Sequence, residues 1–335
     1  MALEALVAGV MFAALAAYAV LAGADFGGGV WDLVSRGPRA SAQRKTIADA
    51  IGPVWEANHV WLIFFIVLLF TCFPRAYAAA SVALFWPLHL VLIGIVLRGS
   101  SFVFRAYGPP GVTAEAVWGR VFGAASAVSP VLLGMCLGTL SSGGIQFAGG
   151  QVAPSSQSAW LSPFPLVVGL LALALCAYLA AVYLVMESAG ALAEDFRRRA
   201  LAAWIVAGIV SVATLAVAAR EAPHLWRNLS SWPALGLLIF GALLAPASLA
   251  ALWRGHFRWA RALGAGQVIT LLAGWAAAQW PYLIYPGLTI QQAVAPHSTL
   301  AFTAGTLPFG LALLVPALWF LFSVFKGRTP HTPVE

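Results

Sequence analysis

The stretch EALVAGVMFAALAAYAVLAGADFGGG at residues 4–29 is a long apolar run that leads into one acidic residue, Asp25, and three consecutive glycines. A run of this length can cross the roughly 30 Å hydrocarbon core of a bilayer as a helix. No basic residue precedes it, which favours a mature transmembrane helix over a signal peptide. We therefore expect a helix over 4–24, with Asp25 at its end on the membrane edge.

The rest of the chain is similarly apolar. Hydrophobic residues make up 61% of the sequence and charged residues only 9%, whereas soluble proteins carry about 25% charged residues. The net charge of +7 does not indicate nucleic-acid binding, because the Lys and Arg residues form short clusters between apolar runs. Irregular backbone cannot span lipid, so the sequence predicts an all-α integral membrane protein with a single domain over 1–335. Nine transmembrane helices are expected near 4–24, 53–77, 80–104, 118–140, 163–187, 200–219, 233–252, 259–280 and 299–325.

The basic residues predict the orientation of these helices. With the amino terminus outside, only Arg75, Arg220 and Arg227 face the exterior. The positive-inside rule therefore predicts an external amino terminus and a cytoplasmic carboxyl terminus. The basic residues assigned to the cytoplasmic side are Arg36, Arg39, Arg44, Lys45, Arg98, Arg105, Arg120, Arg197, Arg198, Arg199, Arg254, Arg258, Arg261, Lys326 and Arg328.

Three shorter features complete this organisation. Residues 41–50 suit a brief interfacial helix before Pro53 opens the second crossing. The uncharged stretch 141–162 is expected to form an ordered loop over the bundle. The cysteines have no metal-ligand spacing, so they are interpreted as small buried apolar residues. They are Cys72, Cys136 and Cys176.

Glu56 lies about one turn into the second predicted helix, just inside the membrane. Aromatic and polar residues crowd the same two turns. These residues are Trp55, Asn58, His59 and Trp61. Two interpretations remain open: Glu56 accepts protons from the cytoplasm, or it belongs to a structural polar cluster in which it pairs with Arg98 on the third helix.

Asp25 also allows two interpretations. It is either a helix-terminal acid in contact with water or the mouth of a proton path that leads to Glu56. The glycines after it remove side chains where another helix could approach closely. Glu187, near other charged residues, is interpreted as a solvated interfacial charge.

Histidines raise the question of haem, because facing imidazoles are common axial ligands. Only His59 and His89 fall well inside predicted crossings. The helix rise places them about 9 Å and 22 Å from the inner face, which is too far apart for one iron. Each is therefore interpreted as a hydrogen-bonded core histidine, and we expect this chain to bind no haem or metal by itself.

Four motifs resemble subunit II of cytochrome bd quinol oxidase, and the resemblance extends over nearly the whole chain. They are Gly23–Gly29, Pro53 through Trp61, Arg98–Phe102 with Arg105, and Pro281–Pro286 with Leu288–Ile290. The glutamate at 56 and the Pro-Tyr-Leu-Ile-Tyr-Pro segment are more similar to the branch found with menaquinol-using enzymes. His59 departs from the family, in which glutamine is common.

The resemblance implies a haem-bearing subunit I as partner, with or without a small single-helix subunit. Subunit I would hold two b-type haems, one d-type haem and the quinol site, and the complex would reduce dioxygen to water with protons from the cytoplasm. This subunit would ligate no haem, contact lipid and bind no nucleic acid. The expected location is the bacterial or archaeal cytoplasmic membrane.

The resemblance also implies residue roles. Asp25 and Glu56 would belong to a proton path at the interface between the subunits, and Arg98 would be their structural partner. The surrounding network would comprise Trp55, Asn58, His59 and Trp61.

The same residues are compatible with two other functions. A proton-coupled carrier would use Asp25 and Glu56 and would be active as this chain alone. A free-standing haem protein would depend on His59 or His89, which the depth difference opposes.

Overall fold

The structure, a computed structural model, describes residues 2–52, 55–107 and 112–326. Pro53 and Val54, at the predicted start of the second crossing, lie outside these residues, as do Arg328 and His331. The helices are α1 (Ala2–Val34), α2 (Ala40–Ile51), α3 (Trp55–Cys72), α4 (Pro74–Ala83), α5 (Phe85–Tyr107), α6 (Val112–Ser142), α7 (Pro163–Met186), α8 (Gly190–Glu221), α9 (Pro223–Leu229), α10 (Ala234–Trp253), α11 (Phe257–Gln279), α12 (Ile290–Ala293) and α13 (His297–Lys326). Two antiparallel hairpins join β1 (Phe147–Ala148) to β2 (Gln151–Val152) and β3 (Tyr282–Ile284) to β4 (Leu288–Thr289).

The predicted helical membrane architecture is confirmed. Eight of the described helices are long and apolar enough to cross a membrane: α1, α3, α5, α6, α7, α8, α10 and α13. Helix α11 corresponds to the predicted crossing at 259–280, but it is not among those eight. Arg258, Arg261 and Gln267 make the first half of α11 less apolar.

The first helix is longer than predicted. It continues through the glycines to Val34, so Asp25 lies within α1 rather than at its end. The glycines are contact points: a Cβ on Gly27 would overlap the backbone at Cys176 of α7, and one on Gly29 would overlap Ser126 of α6. The glycines allow neighbouring helices to pack closely against α1, and the helix continues through them.

The second and third predicted crossings are divided differently along the chain. Helix α3 ends at Cys72, and Pro74 begins the separate short helix α4. Proline suits the first position of a helix because the missing N–H would have no intrahelical partner there. Helix α5 then begins at Phe85 rather than near residue 80.

One end of the bundle, here called the basic end, brings together the end of α1, helix α2 and the start of α8. The predicted helix over 41–50 is confirmed as α2. Asp195 of α8 accepts hydrogen bonds from Arg39 at 2.6 and 2.7 Å and from Gln43 at 2.8 Å. The bond to Asp195 raises the pKa of Arg39 above its usual value. Arg199 of α8 also donates to Gln43 at 2.7 Å, so α2 is fixed to α8.

The two hairpins lie at the opposite end of the bundle. Residues 141–162, predicted as an ordered loop, contain the end of α6, the β1–β2 hairpin and a 3₁₀ helix over Pro154–Leu161. In the second hairpin, the Tyr285 backbone N–H donates to Leu140 O at 3.0 Å. The His224 ring stacks on Tyr285 at 4.1 Å between centroids, and burial lowers the pKa of His224.

Helix α13 is the least enclosed of the long helices. It packs against α1 and α3, and most of its described side chains face away from this chain. Phe302, Phe309 and Leu313 are 74–77% exposed. An apolar surface of this kind suits contact with lipid or with another membrane subunit.

The glycine contacts in α1 lead to a stability prediction. Replacing Gly27 with Val should lower the yield and thermal stability of the protein extracted in mild detergent, because the new side chain overlaps α7. Overpacking of this kind costs about 1–3 kcal/mol or more. Fluorescence-detected size exclusion before and after heating measures the effect. Gly208→Val is the matched control, since a Cβ at Gly208 meets nothing within 4 Å in the described chain; equal stability of the two variants would contradict the packing argument.

Candidate functional site

Asp25 lies in the interior of the bundle. Its exposure is 5%, and its Oδ2 accepts a hydrogen bond of 2.6 Å from Asn58 Nδ2 on α3. The interpretation of Asp25 as a helix-terminal acid in water is therefore wrong. Extension of α1 past the glycines is the reason, since it carries the carboxylate into the contact between α1 and α3.

The guanidinium of Arg98 is enclosed by aromatic rings. Its exposure is 1%, and its Cζ lies 5.2 Å from the centroid of Phe26, 5.3 Å from that of Phe122 and 5.8 Å from that of Trp55. Nε donates to Ser126 Oγ at 3.2 Å. Arg98, which the sequence assigns to the cytoplasmic side, lies within α5, and its side chain turns into the core of the bundle.

A buried carboxylate compensates this buried cation. Arg98 interacts electrostatically with Asp25. An ion in an apolar interior is tolerated when an opposite charge and hydrogen-bonding groups surround it. The sequence predicted that Arg98 compensates a carboxylate, but the carboxylate is Asp25 and not Glu56.

Glu56 faces the outside of the chain. Its side chain is exposed and lines a groove of about 430 Å³ between α3 and α5, together with Gly99 and Val103. Among the described residues, Glu56 makes no ion pair with Arg98. Glu56 and Asn58 are two residues apart on α3, which separates them by about 200° around the helix. Because Asn58 faces Asp25, Glu56 faces away from it.

Several buried polar atoms of the site have no hydrogen-bond partner among the described protein atoms. They are Tyr18 Oη, Asn58 Oδ1, both ring nitrogens of His59, Trp61 Nε1 and Arg98 Nη2. Buried polar groups in proteins are normally satisfied by protein or by ordered water. The chemistry of this cluster therefore suits internal water molecules beside Asp25.

The histidines differ from the predicted hydrogen-bonded core residues. The His59 ring packs against Tyr18 and Phe26, each at 5.8 Å between centroids, and against Trp55 at 6.3 Å. His89 is exposed on α5, with Nδ1 2.7 Å from Phe85 O. Within the described ranges, no group of three His, Cys, Asp or Glu side chains is arranged to hold a metal ion.

A second buried charge pair, which the sequence analysis missed, lies at the basic end. Asp32, 2% exposed, accepts a hydrogen bond of 2.9 Å from Arg105 Nη1. The sequence contains a signal for this second pair: Asp32 follows Asp25 by seven residues, and Arg105 follows Arg98 by seven. Seven residues are close to two helical turns, so each pair of like residues shares a helix face.

The site therefore brings together most of the predicted residues and separates one. Asp25, Asn58, His59 and Arg98 meet in the interior, with Trp55 and Trp61 beside them. Glu56 lies on another surface. The arrangement can hold a carboxylate and its counter-ion inside a membrane and, with water, can move a proton at that carboxylate.

Comparisons with known proteins agree with this membrane architecture. A family model described as cytochrome bd terminal oxidase subunit II matches residues 3–325. The chain is 28% identical over 180 residues to cytochrome bd ubiquinol oxidase subunit 2 of Bacillus subtilis (strain 168). The aligned residues make up 54% of this chain and about half, 52%, of that protein. It is 22% identical over 319 residues to another protein of the same strain, provisionally named cytochrome bd menaquinol oxidase subunit II, with coverage of 92% and 91%.

A solved structure has the same fold. The chain matches one of the bd oxidase from Geobacillus thermodenitrificans with a TM-score of 0.83 and 24% identity, over 98% of this chain and 100% of that one. The apolar helices and the family match indicate a multi-pass protein of the bacterial cytoplasmic membrane. Because the family model covers almost the entire chain, the protein belongs to the family of cytochrome bd terminal oxidase subunit II.

Proposed function

We propose that this chain is the haem-free second subunit of a cytochrome bd-type quinol:dioxygen oxidoreductase. The observation that carries the proposal is the family match over residues 3–325. In this complex, quinol supplies the electrons, dioxygen is reduced to water, and a homologous subunit I holds two b-type haems, one d-type haem and the quinol site. This chain supports subunit I and supplies part of a proton path, with lipid and, in some complexes, a small single-helix subunit at its surface.

His59 and His89 do not fit a haem site in this chain. His59 is enclosed by three aromatic side chains, and His89 lies on the outer face of α5 with its Nδ1 engaged near Phe85 O. Axial ligation by a pair of histidines needs two imidazoles that face one iron. The haems are therefore assigned to subunit I.

For the membrane orientation, we assign the basic end to the cytoplasm. Helices α1, α5 and α7 end there, and α2 lies on it with Arg39 and Arg44. The positive-inside rule favours this orientation and places the amino terminus outside and the carboxyl terminus inside. Helix α11 completes nine crossings, since it packs against α10 and α7 and spans 23 residues.

Asp25 is the proposed proton-carrying group in the interior of this chain. The Asn58 amide donates to its carboxylate, and Arg98 stabilises its negative form electrostatically. Proton uptake neutralises Asp25, and proton release restores its electrostatic interaction with Arg98, while the arginine stays charged throughout. Ionisable side chains inside membranes are rare, pair with one another and mark proton relays, which supports this assignment.

Glu56 is proposed to serve at the boundary with subunit I. It lies in a groove whose other lining includes Ile95, Val96 and Phe104. A carboxylate facing lipid alone is costly, so the groove fits a protein partner that supplies a hydrogen-bond donor to Glu56. Asp25 and Glu56 thus act on two sides of α3 rather than side by side.

Purification from the native membrane tests the complex. Extraction of this chain in mild detergent should bring with it a larger haem protein, and a reduced-minus-oxidised spectrum should show b-type and d-type bands. A colourless chain isolated alone that transports protons in vesicles would overturn the oxidase proposal and favour the carrier.

The buried charge pair predicts a defect in assembly. Arg98→Ala should lower the yield of haem-containing complex, because loss of one partner of a buried pair costs about 3–5 kcal/mol. Removal of both charges in Asp25→Asn with Arg98→Gln should recover part of the yield, although not the activity. Yield is measured from haem absorbance per unit of membrane protein. A double variant that assembles no better than Arg98→Ala would reject compensation between these two residues.

The two carboxylates predict a defect in turnover without loss of haem. Asp25→Asn and Glu56→Gln should each slow oxygen consumption and proton uptake roughly tenfold or more in the assembled complex, since each loses a proton-accepting group. Oxygen-electrode rates normalised to haem content measure the effect. Asp49→Asn, an exposed carboxylate of α2, serves as the control. A wild-type rate of oxygen consumption in either variant would show that the substituted residue is not part of the proton path.

A further inference from the structure

The two buried charge pairs form successive levels of one column. Asp25 and Asp32 share a face of α1, and Arg98 and Arg105 share a face of α5. Each spacing of seven residues corresponds to about 10 Å along the helix axis. In the proposed orientation both helices run from the outside inward, so the Asp32–Arg105 pair lies on the cytoplasmic side of Asp25 and Arg98.

The space between the two levels also contains polar groups. Ser126 of α6 is fully buried and lies against Gly29, between Asp25 and Asp32 on the α1 surface. Its Oγ accepts the hydrogen bond from Arg98 Nε, so the hydroxyl proton of Ser126 is free to point elsewhere. The absence of a side chain at Gly29 is what admits Ser126 to this position.

A cavity opens beside the lower pair. It has a volume of about 350 Å³ and is lined by residues that include Asp32, Arg44, Arg105, Glu115 and Arg120. Arg44 is held at its rim, since its Nη2 donates to Ser35 O at 3.0 Å. A polar cavity of this size holds several water molecules, and it gives the otherwise buried Asp32 contact with the basic end.

We propose that this cavity is the cytoplasmic proton entrance of the subunit and that Asp32 is the first carboxylate to relay protons toward Asp25. The inference rests on the proposed function, in which Asp25 carries protons. It places the entrance inside this chain, between α1, α5 and α6, rather than at Glu56 in the groove between α3 and α5.

The chemistry is a series of proton transfers without electron transfer. A proton passes from water in the cavity to the Asp32 carboxylate, which forms one O–H bond as another breaks. It then leaves Asp32 by way of water and the Ser126 hydroxyl and reaches Asp25, because about 10 Å is too long for one direct transfer. Arg105 remains protonated and restores the ion pair with Asp32 after each transfer.

The first test compares charge and shape at Asp32 in the assembled complex. Asp32→Asn should slow proton uptake roughly tenfold or more, as Asp25→Asn does, while Asp32→Glu keeps a carboxylate and should retain most of the rate. Uptake is followed with a pH-sensitive dye during oxygen pulses, at equal haem content. Rescue by Glu separates a relay from a purely structural role.

The second test blocks the cavity after the complex has assembled. It therefore tests whether protons enter through the cavity even if Asp32→Asn fails to assemble. Ala116→Cys on the cavity wall is modified with a charged methanethiosulfonate reagent from the cytoplasmic side of inverted vesicles. Proton uptake should fall several-fold after labelling and recover on reduction. The native cysteines of this chain are buried. Ala191→Cys, exposed at the start of α8 at the same end of the bundle, is the labelling control.

The outcomes separate this inference from the proposed function. One outcome is wild-type proton uptake in Asp32→Asn and in labelled Ala116→Cys, with slow uptake in Asp25→Asn. This outcome would show that protons enter elsewhere, and it would leave the role of Asp25 intact. If Asp32→Asn does not assemble, wild-type proton uptake in labelled Ala116→Cys is enough to reject this cavity as the proton entrance. Wild-type proton uptake in Asp25→Asn would reject the proposed proton path through Asp25, and this inference with it.

Discussion

A guanidinium enclosed in an apolar bundle requires a negative charge and hydrogen-bond acceptors within reach, and this requirement organises the centre of the molecule. Arg98 has aromatic rings on its faces, a serine hydroxyl at Nε and the carboxylate of Asp25 nearby. Three helices must keep their positions for these contacts to exist together: α1, α5 and α6. The glycines of α1 make that approach possible, so packing and electrostatics depend on the same short segment.

The helical membrane fold could be predicted from apolar run length, because the hydrocarbon thickness leaves few alternatives. Helix ends were less predictable. A glycine run predicts termination on propensity alone, yet in α1 it marks contacts with helices far away in sequence, such as that of Gly27 with Cys176. Apolar run length also does not predict the break at Pro74, which separates α3 from α4.

The candidate site could be predicted as a set of residue types but not as a set of contacts. Residue spacing on α3 placed Glu56 and His59 among polar neighbours, but spacing does not say which side of α3 faces α1. That choice places Asn58 against Asp25 and Glu56 on the surface. Asp32 was missed since it follows the glycines, where the first helix was expected to have ended; the matching seven-residue intervals on α1 and α5 contained the signal.

The burial of Asp25 also bears on how the protein is made. Asp25 is synthesised before Asn58 and Arg98, the partners of its carboxylate, which follow it by 33 and 73 residues. An aspartate within an isolated helix opposes membrane insertion by up to about 3 kcal/mol at the helix centre, and leucine, valine and phenylalanine each favour it by about 0.3–0.6 kcal/mol. The long apolar run before Asp25 thus allows α1 to enter the bilayer alone and to hold its acid there until α5 arrives.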